Sequence, residues 1–542
     1  MEPRPVLPFV NPATGARFGQ VAVTTPAEAR AAVTELRAAF PAWSAQSIAQ
    51  RVAVLRELQR VLIDAADEIT AVITQDTGKP RQDALLEVLV TVDMLNDACR
   101  HAPAWLRRER VSSGLYLFKR FYIERRPFGV VLVLGPWNYP LALVLPGVIA
   151  ALLAGNTVVV KPSEVCAATG ALLEQLLARV PALAPYVRVT HGGPEVGQAL
   201  VTAPPDFIFL TGSAGTGKRV MRAAADTLTP LVVEGGGKDA MLVLEDADLA
   251  AAAEWGAWGA HFNAGQSCVS VERVYVAEPV YGRFVDGAVR ATEALKLGYG
   301  LDPAAPYQVG PVTSPEQLAV IEAHMADALA KGARVLTGGR RRGQFYEPTV
   351  LVDVTHAMRL MQEETFGPIM PIMPYHDEAE AVRLTNDSTF GLSASIWSRD
   401  LAHAQALARR LNTGSVIIND TIAHFGVPQL PFGGVKDSGF GRTHGRDGLR
   451  QFTQPFGLAV GSAPQPLDVA AQLRYPGHYG LAAAILRLVF GVTLRQRTQP
   501  LAAAVRRAGP GRVLLSAVAA GLATALAFAL GAKRRSRRGH GR

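Results

Sequence analysis

From Gly129 onward the chain alternates short β-branched runs with helical stretches, and this rhythm restricts the fold more than any other feature. The runs are Val130–Leu134, Thr157–Val160, Val187–Thr190, Phe207–Leu210 and Leu231–Val233. Between them lie helical patterns at Leu141–Leu153, Ala167–Ala178, Val196–Val201 and Gly217–Ala225. Parallel strands need crossovers of helix length, so the pattern predicts a parallel sheet covered by helices on both faces. Nucleotides bind beyond the C-terminal ends of such strands. A second α/β unit follows, with strands near Met241–Leu244, Val271–Val276, Ala333–Leu336, Ile369–Met373, Ser393–Trp397 and Ser415–Ile418. Upstream, Pro26–Phe40, Ile48–Thr74 and Asp83–Leu106 read as amphipathic helices, with Gly78-Lys79-Pro80 as a stop. Leu117–Glu124 mixes aromatics and charges as an extended ribbon suited to pairing with another element or subunit.

A chain of 542 residues has room for two or three domains. Its mean hydropathy of +0.16 suggests a membrane contact. The pI near 9.6 does not mark a nucleic-acid binder. Nine of the 55 basic residues and none of the 46 acidic ones fall in 501–542, so the first 500 residues are formally neutral. Three cysteines, Cys99, Cys166 and Cys268, make neither a disulfide framework nor a Cys-rich zinc site, and no metal is expected. They fit a reducing compartment. Met1–Val10 carries two charges and three prolines, so no leader peptide is expected there.

Chemistry concentrates in loops after strands. Phe262–Cys268 reads F-N-A-G-Q-S-C and puts one thiol in a Gly-broken turn between a helical run, Asp248–Phe262, and a β-branched run, Val269–Val276. A thiol is a strong nucleophile if its pKa is lowered or a base is near; alone it is more often a small core residue. Gly135-Pro136-Trp137-Asn138-Tyr139-Pro140 holds Asn138 rigidly, as an oxyanion donor or as a helix cap. Lys161-Pro162-Ser163-Glu164 ends a strand with a cation and a carboxylate, suited to a ribose with a free 2′-hydroxyl or to a loop salt bridge. Thr211–Arg219 holds Gly212, Ser213 and Gly217 at a strand-to-helix turn. It nearly fits a phosphate loop but has Arg219 where that loop needs a hydroxyl. Glu234, before three glycines, suits a general base with a raised pKa or a turn carboxylate on an edge strand. Glu363–Pro368 and Pro431–Gly439 are further rigid loops that name no chemistry alone.

Taken together, G-P-W-N-Y-P, K-P-S-E, T-G-S with a later Gly, E-x-G-G-K, G-Q-S-C, E-E-x-F-G-P and P-F-G-G-x-K-x-S-G stand in the order and spacing of the aldehyde dehydrogenase superfamily over roughly residues 10–460. The chain resembles most the class 3 branch, which includes fatty aldehyde dehydrogenase, with Arg474-Tyr475-Pro476 among the shared features. The resemblance implies that Cys268 attacks the aldehyde, Asn138 and the Cys268 N–H hold the oxyanion, and Glu234 activates water against the thioester. It implies adenosine-ribose contacts from Lys161 and Glu164 beside Trp137, and a pyrophosphate turn at Gly212, Ser213 and Gly217. Glu364 and Phe366 fall at the nicotinamide end. NAD is the implied cofactor, NADP the alternative. The family usually has Leu where this chain has Gly235, which predicts a more open site or a more mobile Glu234. A homodimer is implied too.

The domain plan expected from this is a Rossmann-like NAD-binding domain at 1–112 and 127–234 and a bridging, oligomerising ribbon at 113–126 and 419–460. A catalytic domain takes 235–418, and an amphipathic region takes 461–511. Residues 512–542 are expected to form a transmembrane anchor with a basic tail, because Val513–Ala532 has no charge and is long enough to cross a bilayer. Ala482–Arg497 is expected to lie on lipid, cap the substrate tunnel or pack on the body. The anchor places the catalytic body on a membrane, facing the cytoplasm, and suggests a medium- or long-chain aliphatic aldehyde. Aromatic or small aldehydes, or a tethered binding protein without turnover, are the alternatives.

Overall fold

The computed structural model describes residues 4–114, 116, 119–461 and parts of 479–499. The chain divides into two compact units: Met1–Arg107 with Glu124–Phe456, and Arg108–Ile123 with Gly457–Arg542.

The first unit contains the parallel sheet that the alternation predicts. Its strand order is Gly439–Phe440, Leu231–Glu234, Phe207–Thr211, Val130–Leu134, Thr157–Lys161, Val187–Val189. The five longer strands run parallel, and every residue of the central strand Val130–Leu134 is buried. Burial on both faces explains the unbroken Val/Leu runs, each such side chain contributing about 1.5–3 kcal/mol. Gly439–Phe440 adds an antiparallel edge strand against Glu234 and Val233. Glu234 is therefore not on the sheet edge.

A second, seven-stranded sheet has the order Arg334–Thr337, Thr349–Val352, Ile369–Tyr375, Val271–Ala277, Asp239–Val243, Ser393–Trp397, Ser415–Ile418. Arg334–Thr337 is antiparallel to its neighbour and the other pairings are parallel. The long helical run read at Ile48–Thr74 is two helices, Ile48–Asp64 and Ala66–Thr77, because Ala65 leaves the helical region (φ −94°, ψ 9°).

In the second unit Glu109–Val111 pairs antiparallel with Phe121–Ile123. Among the described residues no helix is long and apolar enough to cross a membrane. Val513–Ala532 and Arg474-Tyr475-Pro476 lie outside the described residues, and Ala482–Arg497 is described only in part. The single-pass anchor and the membrane location that depended on it do not stand. Eight of the twenty residues in Val513–Ala532 are alanine, a side chain that adds little to the transfer free energy that holds a helix in lipid.

Candidate active site

Two cavities in the first unit meet at one sulfur. The first, about 720 Å³, is lined by Leu86, Leu89, Val90, Trp255, Trp258 and Phe425 among others. The second, about 710 Å³, lies beyond the C-terminal ends of the parallel strands. Cys268 lines both.

The turn carrying Cys268 is locally costly and externally braced. The helix Leu249–His261 is capped by Asp248, whose carboxylate accepts from Ala251 N–H, and it ends where Asn263 and Ala264 turn left-handed, φ 52° and 55°. Non-glycine residues there cost about 1–3 kcal/mol each. Asn263 Nδ2 offsets this by donating to the Asn138 and Gln266 carbonyls, both at 3.1 Å. Gln266 Oε1 accepts from Thr313 N–H at 2.8 Å, tying the turn to a third segment.

Asn138 is buried, and its Nδ2 donates to the Gln266 carbonyl at 3.1 Å. The helix that follows begins only at Leu145, so Asn138 is not its cap. The amide thus stands against the residue two positions before the thiol. Asn138 lines the second cavity with Trp137, Lys161, Glu164, Gly212, Ser213, Glu364 and Phe366. Lys161 Nζ lies 2.9 Å from Glu164, so the salt bridge exists and also faces this cavity. Ser213 caps the helix Ala214–Ala225 by accepting from Thr216 N–H. Glu364 Oε1 accepts from Gly237 N–H at 2.9 Å. Phe366 sits at φ 50°, its ring edge-on to Trp137 at 5.4 Å.

Two glycines play other parts than expected. Gly217 does not line the cavity; a Cβ there would stand 2.9 Å from Val233, so its smallness serves helix–sheet packing. Gly235 does not open the site either. A Cβ on it would meet the Asp437 carbonyl at 2.7 Å, and its N–H donates to Ser438 O at 2.9 Å. The backbone of the Pro431–Gly439 loop occupies the space a larger side chain would take.

A profile of the aldehyde dehydrogenase family matches residues 2–455. The chain belongs to the aldehyde dehydrogenase family. It is 43% identical over 449 residues to the 4,4′-diapolycopene aldehyde oxidase of a Methylomonas species, covering 82% of this chain and 84% of that one. It is 34% identical over 463 residues to the NADP-dependent succinate-semialdehyde dehydrogenase GabD of Escherichia coli, covering 83% and 93%. The crystal structure of Mycobacterium tuberculosis aldehyde dehydrogenase complexed with NAD+ superposes with a TM-score of 0.80 at 33% identity, covering 85% of this chain and 95% of that one. The relatives are spread over several aldehyde classes, so they place the chain in the superfamily without singling out its class 3 branch.

Aldehyde dehydrogenases use NAD or NADP. The second cavity fits a dinucleotide: a buried lysine and a carboxylate at one end, a helix N-terminus in the middle, and an aromatic pair with a carboxylate near the thiol.

The electrostatics correct one expectation for the nucleophile. Burial pushes the Cys268 thiol up, and the carboxylates of Asp239, Glu364 and Glu234 push it further the same way. The resting group is a thiol, not a thiolate. Burial also pushes Glu234 up to about 8, against a smaller lowering by Arg442. Both Glu234 carboxyl oxygens lack a hydrogen-bond partner. Cys166 and Cys99 are buried, and burial raises both thiols, so Cys268 is the accessible thiol of the three.

The sequence reading missed a buried support. Lys79 Nζ donates to Glu87 Oε1 at 2.9 Å and to the Asn138 carbonyl at 2.7 Å, while Glu87 Oε2 accepts from Leu141 and Ala142 N–H. Gly78-Lys79-Pro80 looked like helix punctuation only. The signal was a Lys and a Glu eight residues apart, one on each side of a helix start, which local periodicity does not connect.

Proposed function

We propose that this aldehyde dehydrogenase oxidises an aldehyde with a long apolar chain to the carboxylic acid, through a thioester on Cys268. The observation that carries the substrate class is the first cavity, whose lining holds many large apolar side chains and no Lys, Arg or His. A substrate carrying a carboxylate at its far end, such as a semialdehyde acid, would find no cation there and would face Asp83, Glu87, Asp93, Glu254 and Asp420. An extended hydrocarbon brings no charge of its own into this mostly apolar space of about 720 Å³. The relative named for diapolycopene aldehyde supports the same reading.

In this reading Asn138 Nδ2 has one hydrogen on Gln266 O and the other for the oxyanion, beside the Cys268 N–H. A bound dinucleotide supplies the hydride acceptor and a cationic nicotinamide ring. Lys161 and Glu164 would hold its adenosine ribose, and Glu364 and Phe366 its nicotinamide end. Glu164 at the ribose end favours NAD over NADP. Glu234 takes the proton of the hydrolytic water.

One specific observation favours a second substrate class. Aromatic side chains and carboxylates share the cavity wall, an arrangement that also receives ammonium groups. A series of decanal, succinate semialdehyde and betaine aldehyde separates the classes. Decanal is expected to have the highest kcat/KM. A preference for succinate semialdehyde would reject the apolar reading, and a preference for betaine aldehyde would replace it with the second.

A further inference from the structure

A third, smaller cavity lies on the far side of Glu234. Its volume is about 70 Å³, and its wall includes Glu234, Thr211, Phe425, Phe432 and His444. Four polar atoms of these residues lack a hydrogen-bond partner: both Glu234 carboxyl oxygens, Thr211 Oγ1 and His444 Nδ1. Glu234 is 6% exposed and Thr211 8%. The two are register partners on adjacent parallel strands, so their side chains project from the same face of the sheet. His444 comes from the loop after the edge strand. It is held between the Phe425 ring at 5.1 Å and the Phe432 ring at 5.7 Å, with a left-handed backbone at φ 61°.

Buried polar atoms are nearly always paired, with protein or with water. A space of this size holds at least two waters, since one needs only about 10–15 Å³ of such volume, and polar walls are what keep a water in place. We propose that this cavity holds a water that orients the Glu234 carboxyl for thioester hydrolysis, with Thr211 Oγ1 and His444 Nδ1 positioning that water behind it. The proposal rests on the reading of Glu234 as the base. In that step the oxygen of a separate water on the Cys268 side of Glu234 bonds to the acyl carbon, the carbon–sulfur bond breaks, and its electron pair returns to Cys268. The released proton passes to Glu234 and from there to the Cys268 sulfur, which restores the thiol. Burial and the neighbouring His424 push His444 down to about 3, so its imidazole stays neutral and accepts hydrogen bonds. The titratable and charged groups around it are Glu234 and Asp97 on the cavity wall, His424 beside it, and Arg442 near Glu234. Thr211 and His444 act through the water and are positioning residues.

The test is stopped-flow NADH formation by the full-length protein with decanal and NAD, for H444F, H444Q, T211V and E234Q. In H444F and T211V the first-turnover burst should keep its wild-type rate while steady-state turnover falls about tenfold, the worth of one hydrogen bond to the water. H444Q, which restores an acceptor, should recover most of that loss. Steady-state rates at the wild-type level in both H444F and T211V, with E234Q stalled, would overturn the water site alone. E234Q turning over at the wild-type rate would remove the base reading beneath it. Equal slowing of burst and steady state would make the two residues structural and also overturn the proposal. Should H444F not fold, T211V, which nearly conserves volume, decides by the same criteria. A crystal structure with this cavity dry would overturn it independently.

Discussion

Burial above all holds the Cys268 thiol protonated, next to a glutamate that burial holds protonated as well. Thioester hydrolysis needs Glu234 to lose its proton, and the sign of the pH dependence of kcat follows. A carboxyl raised to about 8 is mostly neutral at pH 6 and becomes a base only as the pH climbs. Steady-state kcat should rise by about tenfold per pH unit below pH 7.5 and level off above 8. A kcat that is flat from pH 6 to 8 would contradict the raised Glu234. Replacing Cys268 by Ala should abolish NADH formation while NAD binding, followed by quenching of tryptophan fluorescence, persists. Undiminished turnover would remove this sulfur from the chemistry. The candidate residues were legible in the sequence because Gly, Pro and chemistry-bearing side chains recur after strands. Their charge states were not, because they depend on Asp239, Glu364 and Arg442, which approach from distant segments. The fates of Gly217 and Gly235 were illegible for the same reason: each is set by a neighbour from another element, Val233 for one and the Asp437–Ser438 backbone for the other.

At the scale of elements, the loop after Glu234 is fixed by close approach. A Cβ on Gly237 would stand 2.1 Å from the Cys268 carbonyl oxygen, too near for any side chain. Gly237→Ala should therefore push the thiol's turn out of place. Activity should drop by about 100-fold, as expected for an ångström-scale misplacement at a reacting centre. Wild-type kcat/KM in that variant would show that the turn tolerates the shift. Strands with two buried faces were readable from their β-branched runs, and Val130–Leu134 and Ser393–Trp397 lie where the pattern puts them, as does the half-buried edge strand Ser415–Ile418. Gly439–Phe440 was not readable, since two residues carry no period and the pairing depends on Glu234 and Val233 far upstream. The break at Ala65 escaped too, because alanine is a good helix former and only packing ends the helix there.

At the scale of the whole molecule, the buried Lys79–Glu87 pair joins the start of the helix Arg81–Trp105 to the Asn138 loop. Both side chains are almost fully enclosed, so removing one leaves the other's charge buried and unpaired. Glu87→Ala should cost about 3–5 kcal/mol of stability, read as an earlier denaturation midpoint in urea, together with loss of turnover. An unchanged midpoint would show that water or another group replaces the carboxylate. The central claim is a covalent acyl intermediate on one sulfur, cleared by one glutamate. Its most direct test is intact-protein mass spectrometry of Glu234→Gln quenched during reaction with decanal and NAD. The expected result is a single adduct with the mass of the acyl group, mapped by peptide digestion to Cys268 and absent in Cys268→Ala. Finding no adduct while NADH still forms, or finding it on another residue, would contradict the claim.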